Sequence, residues 1–168
     1  YGSLITSPPY ANRMSYIREL RPYMYWLGYL SDGRSAGQLD WRAIGGTWGA
    51  ATSNLATWTA PAGFSVPHRG YAALTRRIER ESPILARYVD RYFVDMDRHL
   101  AGIRPLLARG ARVHYVVGNS KFFDVLLPVE KILEAQLAAH GFSATRVDVL
   151  RKRTSKPELY EFCVSARA

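Results

Sequence analysis

Cysteine is nearly absent from this chain of 168 residues: Cys163 is the only one. An internal disulfide is therefore excluded, and a reducing, cytoplasmic setting is expected. Cys163 stands in an apolar alternation and reads as a small core residue, not as a reactive thiol. No apolar run approaches the roughly 20 residues that a bilayer-spanning helix needs, so no membrane partner is expected. No charged-then-apolar leader opens the sequence. The four histidines, His68, His99, His114 and His140, lack metal-ligand spacing, and no Ser-His-Asp set assembles around them. Neither a metal site nor a hydrolase triad is expected. Acidic residues are scarce as well, 14 against 23 Lys and Arg, which leaves a net charge of +9. That excess suits a polyanionic partner, because phosphate contacts supply most nucleic-acid affinity.

What is present is an alternation of strand and helix signals without repeats. A hydrophobic fraction of 48% over this length supports one globular domain, residues 1–168. Strands are expected at about 2–7, 112–118, 143–150 and 158–166, and helices at about 13–30, 70–81, 83–109 and 128–140. The first helix places Ile17, Leu20, Met24 and Leu27 on one stripe, and Pro22 should kink or break it. The helix opening at Pro83, behind Ser82 as cap, puts Tyr88, Tyr92, Asp95 and His99 on one face. Leu85, Val89, Phe93, Met96 and Leu100 form another face, and Gly110 should end that helix. Residues 32–69 hold six glycines with Trp41, Trp48 and Trp58 and read as a long irregular insertion, a candidate target-recognition segment. The pattern predicts an α/β sheet of mostly parallel strands with helices on both faces, closed at one end by an antiparallel strand.

The richest local signal is Ser7-Pro8-Pro9-Tyr10 at the end of the first strand. Two consecutive prolines cannot donate ladder hydrogen bonds and fix φ, so the chain must leave the sheet in a rigid turn. That turn offers a hydroxyl, carbonyls with no competing N–H, and an aromatic face. The set suits a flat ring bearing an amine: acceptors for the amine and a stacking surface for the ring. In a parallel sheet, ligands collect beyond the carboxyl ends of the strands. Ser7, the turn Gly118-Asn119-Ser120 and the basic loop 151–157 should all lie at that edge.

The tetrapeptide, the segment Arg18-Glu19-Leu20-Arg21-Pro22-Tyr23-Met24-Tyr25-Trp26-Leu27-Gly28 and the strand-turn Val113 to Ser120 together resemble the exocyclic-amino DNA methyltransferases. That family modifies N4 of cytosine or N6 of adenine using S-adenosylmethionine. The resemblance implies a Rossmann-like class I methyltransferase sheet. It implies that Ser7, Pro8, Pro9 and Tyr10 form the catalytic pocket for a base flipped out of DNA. The serine form is more similar to the cytosine-N4 members. Asn119 and Ser120 would shape the pocket floor or meet the cofactor. Arg18 and Arg21, with Arg151, Lys152, Arg153 and Lys156, would contact DNA phosphates.

The family's glycine-rich cofactor loop does not stand before the tetrapeptide. Gly45-Gly46-Thr47-Trp48-Gly49 is glycine-rich, but no strand signal precedes it. The resemblance therefore covers the target-base half of a partial fold. The S-adenosylmethionine half is expected upstream, downstream in a permuted order, or on a second chain. Two other readings compete. One is an amino-group methyltransferase acting on RNA or protein, whose tetrapeptides usually begin with Asp or Asn. The other is a non-catalytic DNA-binding partner subunit.

Overall fold

The structure is a computed structural model that describes residues 1–12, 14–46, 50–154 and 157–168, with 50–52 as backbone only. Strand β1 (Ser3–Thr6) is followed by three helices, α1 (Tyr16–Trp26), α2 (Gly33–Arg42) and α3 (Ala50–Thr57). Then come α4 (Tyr71–Glu81), α5 (Pro83–Ile103), a 3-10 turn at Arg104–Leu106 and β2 (Arg112–Gly118). A hairpin of β3 (Ser120–Phe122) and β4 (Val125–Leu127) leads into α6 (Val129–Ala139), and β5 (Ser143–Lys152) and β6 (Tyr160–Arg167) close the chain.

The main sheet has the order β1-β2-β6-β5. β1 pairs parallel with β2, while β6 pairs antiparallel with both β2 and β5. Three strands thus share one direction and the last is reversed between two of them. The sheet is mixed, and the reversed strand lies inside it, not at the end that the sequence pattern indicated. β6 pairs antiparallel on both sides because a short β5–β6 connection can only make a hairpin and β5 runs the same way as β2.

Burial alternates along the strands, so the sheet has two unlike faces. Val113, Tyr115, Val117, Phe162, Val164 and Ala166 are buried beneath α5 and α6. The opposite face carries Ile5, His114, Val116, Cys163 and Ser165, none of them buried. The expectation of helices on both faces is corrected: among the described residues the helices pack on one. Cys163 is corrected with it, since its parity puts it on the bare face, with Sγ 3.5 Å from Ser165 Oγ and half-buried.

The helices differ from expectation where capping chemistry overrides hydrophobic pattern. α1 starts at Tyr16 because the Ser15 hydroxyl accepts from the Arg18 N–H at 3.0 Å. It runs through Pro22 unbroken and ends where Gly28 takes φ +76°. None of its residues is buried; Leu20 is 50% and Leu27 62% exposed, so the stripe does not pack as expected. Segment 32–69 is not mostly irregular: Asp32 and Ser35 form a reciprocal capping box that starts α2, and α3 follows. α5 ends at Ile103 because Pro105 cannot continue it.

Candidate functional site

The carboxyl ends of β1 and β2, the end of β5 and the start of β6 meet at one edge of the sheet, because β6 is reversed. Ser7, Gly118, Arg153 and Glu161 gather there, as the strand reading expected of the tetrapeptide and the loop after β5. Pro8 is buried and wedges the turn, while Ser7 is exposed and Tyr10 half-buried. Among the described residues none donates to the Pro8 carbonyl. The Tyr16 hydroxyl donates to the Ser7 carbonyl at 3.3 Å, the Asn12 N–H to the Tyr10 carbonyl at 2.7 Å, and the Tyr88 hydroxyl to the same carbonyl at 3.5 Å. The tetrapeptide is therefore tied to α1 and to α5.

Tyr10 packs over Gly118, and the Arg153 guanidinium lies 5.5 Å from its ring centroid. Burial, followed by the neighbouring Glu161 carboxylate, pushes the Tyr10 phenol up; Ser7 and Arg153 pull it the other way. Tyr10 is therefore a neutral hydroxyl at ordinary pH. Arg151 grips Glu161 with two bonds, Nε to Oε2 at 2.5 Å and Nη2 to Oε1 at 3.1 Å, and holds that carboxyl below its usual range.

Asn119 is 4% exposed. Its Nδ2 donates to the Glu158 carbonyl at 3.0 Å, and its Oδ1 accepts from the Tyr160 N–H at 2.9 Å. Both ends of the amide thus fasten the loop after β5 to the end of β2. Its backbone carbonyl accepts from Arg153 Nη1 at 3.1 Å. The Ser120 hydroxyl is buried without a hydrogen-bond partner among the described residues. Asn119 and Ser120 form a floor under the edge and present no open donor set to a cofactor.

The basic residues divide. Arg151 and Arg153 are engaged at the edge, while Lys152 is exposed at the end of β5. Arg18 is exposed and pairs with Glu19 at 3.5 Å, and Arg21 is half-buried. Lys156 lies outside the described residues, as do Thr47, Trp48 and Gly49.

A buried network carries the first helices onto α5. The Arg91 guanidinium stacks 3.2 Å from the Trp41 ring centroid, donates to the Gly46 carbonyl at 2.8 Å and to the Trp41 carbonyl, and pairs with Asp95 at 3.6 Å. Asp95 also accepts from the Gly45 N–H at 3.1 Å. Ser15, the α1 cap, donates to the fully buried Asp40. Gly45 takes φ +62°, and a Cβ on Gly46 would stand 1.6 Å from the Asp40 carbonyl oxygen. These glycines are accounted for by close packing, and their polar groups face α5 instead of a phosphate. Trp41 serves the same joint. The sequence marks Gly118 only as part of the turn Gly118-Asn119-Ser120 and does not single out Glu161 or Arg91; their positions in the fold reveal them.

No family model, curated protein or solved structure matches the chain. Fold and site define an α/β domain with an arginine-bearing, aromatic strand edge.

Proposed function

We propose that this chain is the target-base half of an exocyclic-amino DNA methyltransferase with a Rossmann-like class I sheet, acting on cytosine N4. The observation that carries the reading is the place of Ser7-Pro8-Pro9-Tyr10: at the carboxyl edge of a parallel strand pair, with the Ser7 hydroxyl exposed and the Pro8 carbonyl unengaged by described residues. The reversed last strand agrees with the sheet that the resemblance implies.

An exocyclic amine is a poor nucleophile because its lone pair is delocalised into the ring. The Ser7 hydroxyl oxygen and the Pro8 carbonyl would accept from its two N–H groups and draw the nitrogen toward tetrahedral geometry. Tyr10 would stack on the flipped base, held by Gly118 beneath it and Arg153 beside it. The contribution is positioning and electrostatic preorganisation, with no covalent intermediate. S-adenosylmethionine supplies the electrophilic methyl group. The Asn119 amide is engaged at both ends and the Ser120 hydroxyl is buried, which supports a cofactor site outside these two residues. That half would come from another segment or a second chain. Arg18, Arg21 and Lys152 would meet the DNA backbone.

Nucleoside mass spectrometry on DNA and RNA from cells expressing the complete protein tests the proposal. N4-methylcytosine in DNA is expected, falling by about 100-fold or more with Ser7→Ala. A mark found in RNA and not in DNA, or an unchanged DNA mark in the Ser7→Ala variant, would overturn it.

A further inference from the structure

The β3–β4 hairpin turns through Phe123 and Asp124. Phe123 takes φ +53°, a left-handed value that glycine favours and that a bulky side chain rarely adopts. Burial does not compensate, since Phe123 is 49% exposed. A bulky residue held in a strained turn with its ring toward solvent points to a role outside the fold.

An open groove of about 540 Å³ runs beside it, lined by Arg77, Arg80, Glu81, Phe123, Asp124 and Val125. Arg77 and Arg80 are three residues apart on α4 and therefore share a side of that helix. Both are exposed, and neither side chain forms an ion pair or hydrogen bond with any described residue, although Glu81 and Asp124 line the same groove. The hairpin is also joined to the tetrapeptide. β3 begins directly after Asn119, Phe122 meets Tyr88 edge-on at 6.1 Å, and the Tyr88 hydroxyl reaches the Tyr10 carbonyl.

We infer that Phe123, Arg77 and Arg80 form a second nucleic-acid contact: the ring stacks on an unstacked base of the bound strand, and the two guanidinium groups hold flanking phosphates. The chain's net charge of +9 favours this occupant. The inference rests on the DNA reading above and concerns residues separate from the tetrapeptide.

The test is fluorescence anisotropy with labelled duplex, mismatched duplex and single-stranded DNA over a salt series, alongside thermal unfolding. Phe123→Gly should unfold at the same or a higher temperature, because glycine relieves the backbone, yet bind DNA about tenfold or more weakly. Arg77→Ala with Arg80→Ala should flatten the salt dependence by about 0.7–0.9 for each phosphate that is no longer neutralised. Wild-type binding with both variants unchanged in affinity and slope overturns the inference and leaves the DNA reading standing. Absence of salt-dependent DNA binding by the wild type overturns both. Unchanged DNA binding with an altered oligomeric state assigns the patch to self-association and overturns the inference.

Discussion

The Tyr10 ring lies directly on Gly118. A Cβ at Gly118 would stand 2.9 Å from Tyr10 Cδ2, 3.0 Å from Cε2 and 3.1 Å from Arg153 Nη1. Glycine is needed there for space. Gly118→Ala should push the ring and the guanidinium outward, at a cost of about 1–3 kcal/mol from overpacking. Base capture should suffer more than folding. Urea unfolding and DNA titration of the same variant separate the two effects, and full DNA affinity in Gly118→Val would show that the ring is not confined.

The buried Arg91 joins the buried Gly46 to the partly buried Trp41 and Asp95. Arg91→Met should cost about 3–5 kcal/mol, since it takes the donor from the Gly46 and Trp41 carbonyls and leaves Asp95 only the exposed Arg98, 4.0 Å away, as a cation. Gly46→Ala should be at least as damaging, because its methyl would overlap the Asp40 carbonyl. Both are read from urea midpoints. A loss within about 0.5 kcal/mol for either would mean that the 41–46 turn is not anchored as described.

Asn119 holds the loop after β5 by two hydrogen bonds. Asn119→Ala should cost about 1–3 kcal/mol, because the Tyr160 N–H and the Glu158 carbonyl each lose their side-chain partner. Amide hydrogen exchange should accelerate across 153–160 and stay slow in β2. Uniform acceleration throughout the sheet would instead make Asn119 a global stabiliser.

Burial pushes the Asp90 carboxyl up; the Tyr71 hydroxyl, which donates to it at 2.7 Å, pulls it down, and Glu79 adds to the rise. The folded pKa therefore exceeds the unfolded value of about 3.9. Stability from this group is complete below that value and is lost as pH rises through the folded pKa. Asp90→Asn abolishes the dependence. The melting temperature of the wild type relative to Asp90→Asn should fall on going from about pH 3 toward neutrality and then level off. A difference that is flat across this range would contradict the shift.

The main strands and the long helices were legible because their signals are local. β2, α4, α6 and the start of α5 follow apolar period, the Ser82 cap and Gly141 closely, while α5 stops at Ile103, short of the Gly110 expected to end it. The tetrapeptide's place at the sheet edge followed from proline chemistry and strand direction. Other features depended on partners distant in sequence. α2 hides behind Gly33 and Gly37, which lower helix propensity, and its Asp32–Ser35 box is the signal that could have revealed it. The β3–β4 hairpin carries Phe at a turn position normally filled by glycine, so its turn has no sequence mark. Asn119 looked like a ligand because its type and position fit one; its amide is used by a loop some 40 residues on.

The reversed strand sets a constraint on how the sheet is born. Among the described residues β5 has no sheet neighbour except β6, and β6 also binds β2, far back in sequence. Until residues 160–167 emerge from the ribosome, β5 has no partner among the described strands, although β1 and β2 can already pair with each other. Closing the sheet is thus a late, long-range event, of the kind that slows folding. It also completes the edge on which Tyr10, Arg153 and Glu161 meet, so nascent chains cannot assemble that edge before the sheet itself is closed.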